Sequence, residues 1–267
     1  EAVNLRVSYA GGYRAPQAFD EDMHIAVVGG KRVRIRLADD LKEERSHSVS
    51  LSADLYHNFG RVQTNLLVEG FYTILDDVFA LRDLEDTDDG GKIKERYNGS
   101  GAAVRGFNVE GRAIFTRWFE LQAGVTLQQS RYKEPEQWSE DADVPPVRRM
   151  FRTPDAYGYF TAAFRPVRNF TADLTGTCTG SMLVQHMAGS GVAQDAAVST
   201  PSFFDMNVRL SYDLRIYKEI TLQLYGGVQN LFNAYQKDFD KGADRDSGYI
   251  YGPSLPRSWF VGAKFSF

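Results

Sequence analysis

The sequence predicts an all-β chain, an antiparallel transmembrane β-barrel meander of about ten strands. Three observations carry that expectation. The first is the last ten residues. Trp259, Val261, Ala263, Phe265 and Phe267 share one face, and Ser258, Phe260, Gly262, Lys264 and Ser266 share the other. Strict period-two alternation places one face in apolar surroundings and the other in polar ones. Chain ends ordinarily fray and are polar, so an aromatic residue at the last position marks a strand built to be zipped into a sheet. The second is the connections, which alternate short and long. The third is composition. The 267 residues are 43% hydrophobic and 13% aromatic, with no apolar run near the ~18 residues of a membrane-spanning helix. Barrels give this reading because lumen residues dilute lipid-facing ones.

The elements follow in order. Weak alternation covers 3–10. In 48–59, Val49, Leu51, Ala53, Leu55, His57 and Phe59 oppose Ser48, Ser50, Ser52, Asp54 and Tyr56. Weaker patterns occupy 62–75 and 103–116. In 119–130, Phe119, Leu121, Ala123, Val125 and Leu127 oppose Glu120, Gln122, Thr126, Gln128 and Ser130. Two more weak patterns cover 156–165 and 169–178. In 203–214, Phe204, Met206, Val208, Leu210, Tyr212 and Leu214 oppose Phe203, Asp205, Asn207, Arg209, Ser211 and Asp213. In 219–230, Ile220, Leu222, Leu224 and Val228 oppose Glu219, Thr221, Gln223, Tyr225 and Gln229. The strand 258–267 closes the chain. Most of these reach the ~9–11 residues that cross a bilayer at a tilt.

Short connections fall at 58–61, 116–118, 165–169 and 215–218, and long ones at 11–44, 83–101, 133–154, 179–201 and 233–256. Short turns at one end and long loops at the other suit a membrane barrel better than a soluble sandwich. Tyr56, Trp118, Tyr212 and Tyr217, near the short turns, are expected at the membrane interface.

A formal charge of −4 argues against nucleic acid as a partner. A single cysteine excludes a disulfide scaffold and a CxxC metal site. The chain begins at Glu1 without an initiator Met or signal peptide, as expected of a processed chain or a fragment.

Candidate chemistry is sparse. By parity Glu69, Glu110, Arg112, Asp173, Asp205, Arg209 and Asp213 project inward, where cross-strand pairing and hydration of the wall compete with a substrate path. Asp83, Glu85, Asp86, Asp88 and Asp89 before Gly90-Gly91, and Asp238, Asp240, Asp244 and Asp246 around Gly242, are hard-oxygen clusters. Neither has EF-hand spacing, so solvated loop charge is the expectation. Met182, His186 and Met187, with Met23 and His24, offer soft-metal donors, although such residues are common in loops without metal. Cys178 takes the outward parity of Phe170, Ala172 and Leu174, as a small apolar residue. There is no Gly-x-Ser-x-Gly, HExxH or phosphate loop, so no metal, cofactor or catalytic residue is assigned. His24, His47 and His186 are rim histidines that a ten-stranded barrel protease would need, while His57 falls near a short turn.

Three stretches carry a resemblance. Gly12-Tyr13-Arg14-Ala15-Pro16 follows the first strand, Val228-Gln229-Asn230-Leu231-Phe232-Asn233 ends the penultimate one, and 256–267 closes the chain. In this order they resemble the C-terminal part of a TonB-dependent outer-membrane receptor. Residues 13–22 and 200–205 are similar to receptors of Bacteroides-type bacteria. The resemblance covers 1–267 as a C-terminal β-barrel segment. It implies that the segment belongs to a 22-strand barrel whose N-terminal strands, plug and TonB box lie outside this chain. It implies outer-membrane lipid, the barrel assembly machinery and, through the plug, TonB as partners. It implies uptake of a scarce nutrient, first an iron chelate (siderophore or haem) and second cobalamin. The family's assembly signal maps onto Gly262, Phe265 and Phe267, with a departure at Phe260. Ferric chelates are often anionic and aromatic, so Tyr13, Arg14, Tyr132 and Tyr251 are the expected loop contacts. A ten-stranded rim protease and a structural or adhesive barrel stay open beside the transporter. The polar inward set suits a wide, wet lumen better than the packed interior of a closed ten-strand barrel.

Overall fold

The computed structural model describes residues 2–17, 33–86, 92–139, 141–217, 220–253 and 255–267, with backbone only at 33, 83, 85, 86 and 92. Among these residues the strands are, in chain order, β1 (Ala2–Arg14), β2 (Val33–Leu37), β3 (Glu44–Phe59), β4 (Val62–Asp76), β5 (Phe79–Asp86), β6 (Lys92–Asn98), β7 (Ala102–Thr116) and β8 (Phe119–Glu136). They continue as β9 (Val147–Arg149), β10 (Ala156–Val167), β11 (Phe170–Thr179), β12 (Leu183–His186), β13 (Ala196–Ser199), β14 (Phe203–Tyr217), β15 (Ile220–Gln229) and β16 (Ser258–Ser266).

The ten strands expected from the sequence form one sheet in the order β1-β3-β4-β7-β8-β10-β11-β14-β15-β16, with β9 appended to β8. Each is antiparallel to its neighbours. The path is open, since β1 pairs only with β3 and β16 only with β15 among the described residues.

Register turns ten separate patterns into two continuous surfaces. Leu5, Ala53, Val68, Val109, Val125, Gly158, Cys178 and Phe204 are paired in sequence across eight strands. One residue over, the row reads Asn4, Asp54, Leu67, Glu110, Gly124, Tyr159, Thr177 and Asp205. A one-residue slip of any strand would exchange the two faces, so the pattern fixes the register strongly. The outward residues expected from Val49, Leu121, Phe204, Ile220 and Trp259 all lie on the apolar surface. That surface is bare: Leu5 is 74% exposed, Phe107 64% and Val261 89%. Apolar area of this extent suits lipid, not water.

Several expectations need correction. The long connections 11–44, 83–101, 133–154 and 179–201 contain strands of their own. β2, β6 and β5 form a three-stranded sheet in which β2 and β6 run parallel. Antiparallel pairing of sequence neighbours therefore holds for the ten-strand sheet and not for this loop sheet. The cause is topological: the β3–β4 hairpin intervenes between two loops at the same end, so the chain returns in the same direction. β8 has 18 residues, about 60 Å at the usual strand rise and well beyond a bilayer. Tyr56 is not an interface residue; it shares the polar face, and its hydroxyl donates to Asp54 Oδ2 at 2.8 Å. Trp118 does reach the apolar side, edge-on to Phe164 at 5.3 Å. The compact apolar cluster lies in the loop layer, where Val184, Tyr249 and Tyr251 pack with Met182, Val198 and Phe203.

Candidate functional site

The polar face is a wall of cross-strand pairs. Asn108 Nδ2 donates to Glu69 Oε2 at 3.0 Å, and Thr126 Oγ1 donates to Asn108 Oδ1 at 2.8 Å. Gln122 Nε2 donates to Glu110 Oε1 at 2.8 Å, Arg112 Nε to Glu120 Oε1 at 2.7 Å and Gln223 Nε2 to Asp213 Oδ1 at 2.8 Å. Arg209 is the register partner of Asp173 and lies 4.8 Å from the Tyr225 ring centroid. Mutual pairing thus accounts for most of the inward charges. Asp205 differs, since its Oδ1 is buried without a hydrogen-bond partner.

At the loop end of this wall lies a cleft of about 390 Å³ that includes Arg14, Phe79, Lys94, Arg96, Tyr132, Glu136, Trp138 and Phe151. Alternation explains who reaches it. Arg14 continues the parity of Ser8 in β1, and Tyr132 continues that of Gln128 in β8; both are polar-face positions. The β5–β6 hairpin then brings Phe79 between two guanidinium groups, with Arg14 Cζ 5.0 Å and Arg96 Cζ 5.8 Å from its ring centroid. Arg14 Nε also meets Glu44 Oε2 at 3.1 Å. Arg96 is 1% exposed, and its Nη1 donates to the Gln17 carbonyl at 2.6 Å. Burial pushes the Glu136 carboxyl up, and burial followed by the Glu136 charge pushes the Tyr132 hydroxyl up. Arg14, Lys94 and Arg96 thus share the cleft with four aromatic rings, Phe79, Tyr132, Trp138 and Phe151, and with the Glu136 carboxyl. Guanidinium groups are planar forks that match carboxylate and phosphate geometry.

Glu136 was absent from the expected contacts; only the structure reveals its burial. Its proton is held more tightly in the folded state. Stability must therefore fall as pH rises from the ordinary value of 4.5 through the raised folded one. Glu136→Gln should leave stability unchanged below pH 4.5 and raise it at pH 7. Urea unfolding at both pH values measures this, and an equal effect at each would refute it.

The other expected contacts lie elsewhere. Tyr13 takes the opposite parity from Arg14, pairs with Arg45 and is 80% exposed on the side of Val7 and Tyr9. Tyr251 is 8% exposed in the loop cluster, and its hydroxyl donates to Asp238 Oδ1 at 2.6 Å. Burial and this carboxylate push the hydroxyl well above the ordinary phenol range. Tyr249 also donates to Asp238, at 3.1 Å. Asp240 meets His186 Nε2 with both oxygens at 3.0 Å, and His186 stacks on Tyr249 at 3.6 Å. Asp246 accepts the Met187 N–H at 2.8 Å. Of the carboxylates expected to be solvated, Asp240 and Asp246 are therefore ties between loops and Asp238 a tie within its own loop, while Asp244 is exposed as expected. The 83–89 cluster lies outside the described side chains, and 23–24 outside the described residues. Met182, His186 and Met187 each have other neighbours. Met182 packs in the apolar cluster, His186 is held by Asp240, and Met187 faces the cleft. No group of three or more His, Cys, Asp or Glu side chains that could hold a metal occurs among the described residues. Of the rim histidines, His47 lies on the apolar-side parity with its Nδ1 2.7 Å from the Tyr9 hydroxyl.

The closing strand shows why Gly262 is glycine: an added Cβ would strike the Tyr225 ring laid across it on the polar face. Phe260 is on that face too, 6.4 Å from Tyr225, and its ring covers Gly227. This accounts for an aromatic residue where the pattern prefers a polar one. Phe265 projects from the apolar face, 62% exposed, and Phe267 touches almost nothing.

Residues 1–231 match the family described as TonB dependent receptor-like, beta-barrel. No curated protein sequence matches the chain. Among solved structures, the chain is similar to the ferric enterobactin receptor PfeA of Pseudomonas aeruginosa (TM-score 0.67, 16% identity, 98% of this chain and 38% of that one). It is also similar to the ferric-catecholate import receptor Fiu of E. coli K12 (0.62, 17%, 98% and 32%) and to the copper transporter OprC (0.62, 14%, 99% and 37%). The chain thus spans about a third of the length of these proteins. At such identities the likeness is one of fold, and it agrees with the sequence match: the chain belongs to the TonB-dependent receptor β-barrel family, whose members are outer-membrane proteins.

Proposed function

We propose that the chain is the C-terminal barrel segment of a receptor that imports a scarce nutrient across the outer membrane, energised through TonB. The cargo of first choice is an anionic iron chelate, a siderophore or haem, and the second is cobalamin. The observation that carries this is the cleft on the polar face, where Arg14, Lys94 and Arg96 converge with Phe79 and Tyr132. Guanidinium groups flanking an aromatic ring suit a ligand that is both anionic and aromatic. The names of PfeA and Fiu refer to iron chelates, which supports the same class. The name of OprC raises copper, but the partners of Met182 and His186, the apolar cluster and Asp240, give that reading no support. The open edges of β1 and β16 suit further strands supplied from outside 1–267, with the plug filling the lumen and barrel assembly machinery inserting the whole.

Deleting the gene should lower growth when iron chelate is the limiting nutrient, with haem and cobalamin limitation tested beside it. Restoring it as Arg14→Gln should leave uptake about tenfold lower or less, the scale of a lost charge-assisted contact. Unchanged growth under all three limitations, with a glycan defect instead, would overturn the cargo.

A further inference from the structure

A groove of about 660 Å³ lies on the other face of the sheet. Its apolar side chains of outward parity are Val49, Leu51, Tyr72, Phe107 and Leu127, and its floor is Gly70. Gly70 stands in register between Leu51 and Phe107, so one missing side chain opens a furrow in an otherwise filled apolar surface. A Cβ there would lie 3.4 Å from the Phe107 ring, in ordinary contact, so sterics do not demand the glycine. The furrow runs up to a polar margin. Arg105 is exposed, and its Nη2 donates to Gln129 Oε1 at 2.8 Å, which orients the guanidinium. Arg131, two residues beyond Gln129 on the same face, is exposed as well. Neither forms an ion pair among the described residues. Diagonal neighbours of this kind stand about 7–8 Å apart, within reach of one phosphate. The acidic residue at this end, Asp155, is offset by Arg149 at 3.0 Å.

We propose that this groove is a lipid site: it takes an acyl chain of an outer-leaflet lipid, with the lipid's phosphorylated headgroup held by Arg105 and Arg131. Such a site requires the apolar face to be the lipid-facing one. It depends on charge complementarity and position, since the apolar furrow lies where chains run and the two cations lie where headgroups begin. Arg149 and Lys133 are committed to Asp155 and Asp76, which leaves Arg105 and Arg131 as the pair for an anion.

The full-length protein would be extracted from outer membranes in detergent and studied by native mass spectrometry. The probes are dioleoyl phosphatidic acid, dioleoylglycerol and inorganic phosphate. Phosphatidic acid should remain bound, with dioleoylglycerol held about tenfold more weakly for want of the charge-assisted bonds. Arg105→Gln/Arg131→Gln should weaken phosphatidic acid to the level of dioleoylglycerol, and Gly70→Leu, which fills the furrow, should weaken both lipids. Heat-modifiable gel mobility establishes that each variant is folded. Equal retention by all variants, or saturation by inorganic phosphate alone, would overturn the site. If the wild-type protein is missing from the membrane fraction, the lipid-facing reading fails and the site with it. If it is present but the variants keep their lipid, only the site fails. Growth on the proposed cargo stays normal in the arginine variant, which separates this test from that of the cleft.

Discussion

Phe267→Asp should lower the amount of the protein in the outer membrane by about tenfold or more, far beyond what lost packing explains. In this sheet Phe267 is fully exposed, so the substitution removes almost no contact. It instead places a charge at the foot of the apolar face, beside Phe265 and Leu222. A charged side chain on a lipid face costs up to about 2–4 kcal/mol for the basic residues at mid-bilayer and less near the interface. That cost alone is too small for the expected loss. We propose that the remainder reflects recognition of the closing strand during insertion. Phe267→Leu should retain much of the wild-type level. Immunoblots of outer-membrane fractions measure both variants, and a normal level of Phe267→Asp would dispose of the idea.

Asn230→Ala should be among the most destabilising single changes in the chain, at about 3 kcal/mol from lost buried hydrogen bonds and backbone strain. Asn230 is 4% exposed and has φ 49°. Its Nδ2 donates to the carbonyls of Leu255 at 2.9 Å and Ala234 at 3.0 Å, and its Oδ1 accepts the Ala234 N–H at 2.8 Å. Its own N–H donates to Asn207 Oδ1 at 2.9 Å. Three residues on, Asn233 (φ 55°) accepts the Arg257 N–H at 2.9 Å. The Asn-Leu-Phe-Asn stretch is thus the clasp that brings the chain from the end of β15 to the start of β16. Asn230→Gly relieves the backbone without restoring the bonds, and should recover about 1 kcal/mol of the loss. Unfolding midpoints in detergent decide this. A change below about 0.5 kcal/mol for Asn230→Ala, the range of ordinary surface substitutions, would mean the clasp is not structural.

The ten long strands were legible because a period-two pattern needs no knowledge of the partner. Their order followed from short turns, and their two faces from parity. The loop strands were not legible in the same way. Val-Arg-Ile-Arg-Leu at 33–37 does alternate, and that signal was available, but it spans only five residues. Its parallel partner β6 is reached only after the β3–β4 hairpin, and no local pattern announces such a pairing. The site was half legible. Arg14 and Tyr132 meet in one cleft because each continues a polar-face parity. The same rule, applied to Tyr13, would have sent it to the other side. Tyr251 could not have been placed from sequence, because the side chains that bury it, Val184 and Phe203, lie about fifty or more residues away.

The unbroken register has a consequence for how such a chain can vary over evolutionary time. An inserted or deleted residue within the lipid-crossing part of β3, β4 or β7 would turn every later side chain of that strand inside out. The shifts between neighbours of the ten-strand sheet, between Phe164 and Val167, between Arg215 and Tyr217, and between Ile114 and Thr116, all sit beside the short turns, where a flip is reset within a residue or two, and the others, between Asp83 and Glu85 and between Arg131 and Glu136, lie at the loop end. Length polymorphism is thereby confined to the loop layer. Gains and losses of whole residues, the coarsest kind of genetic change, fall on the stretches that frame the cleft, while the lipid-facing wall evolves by substitution alone.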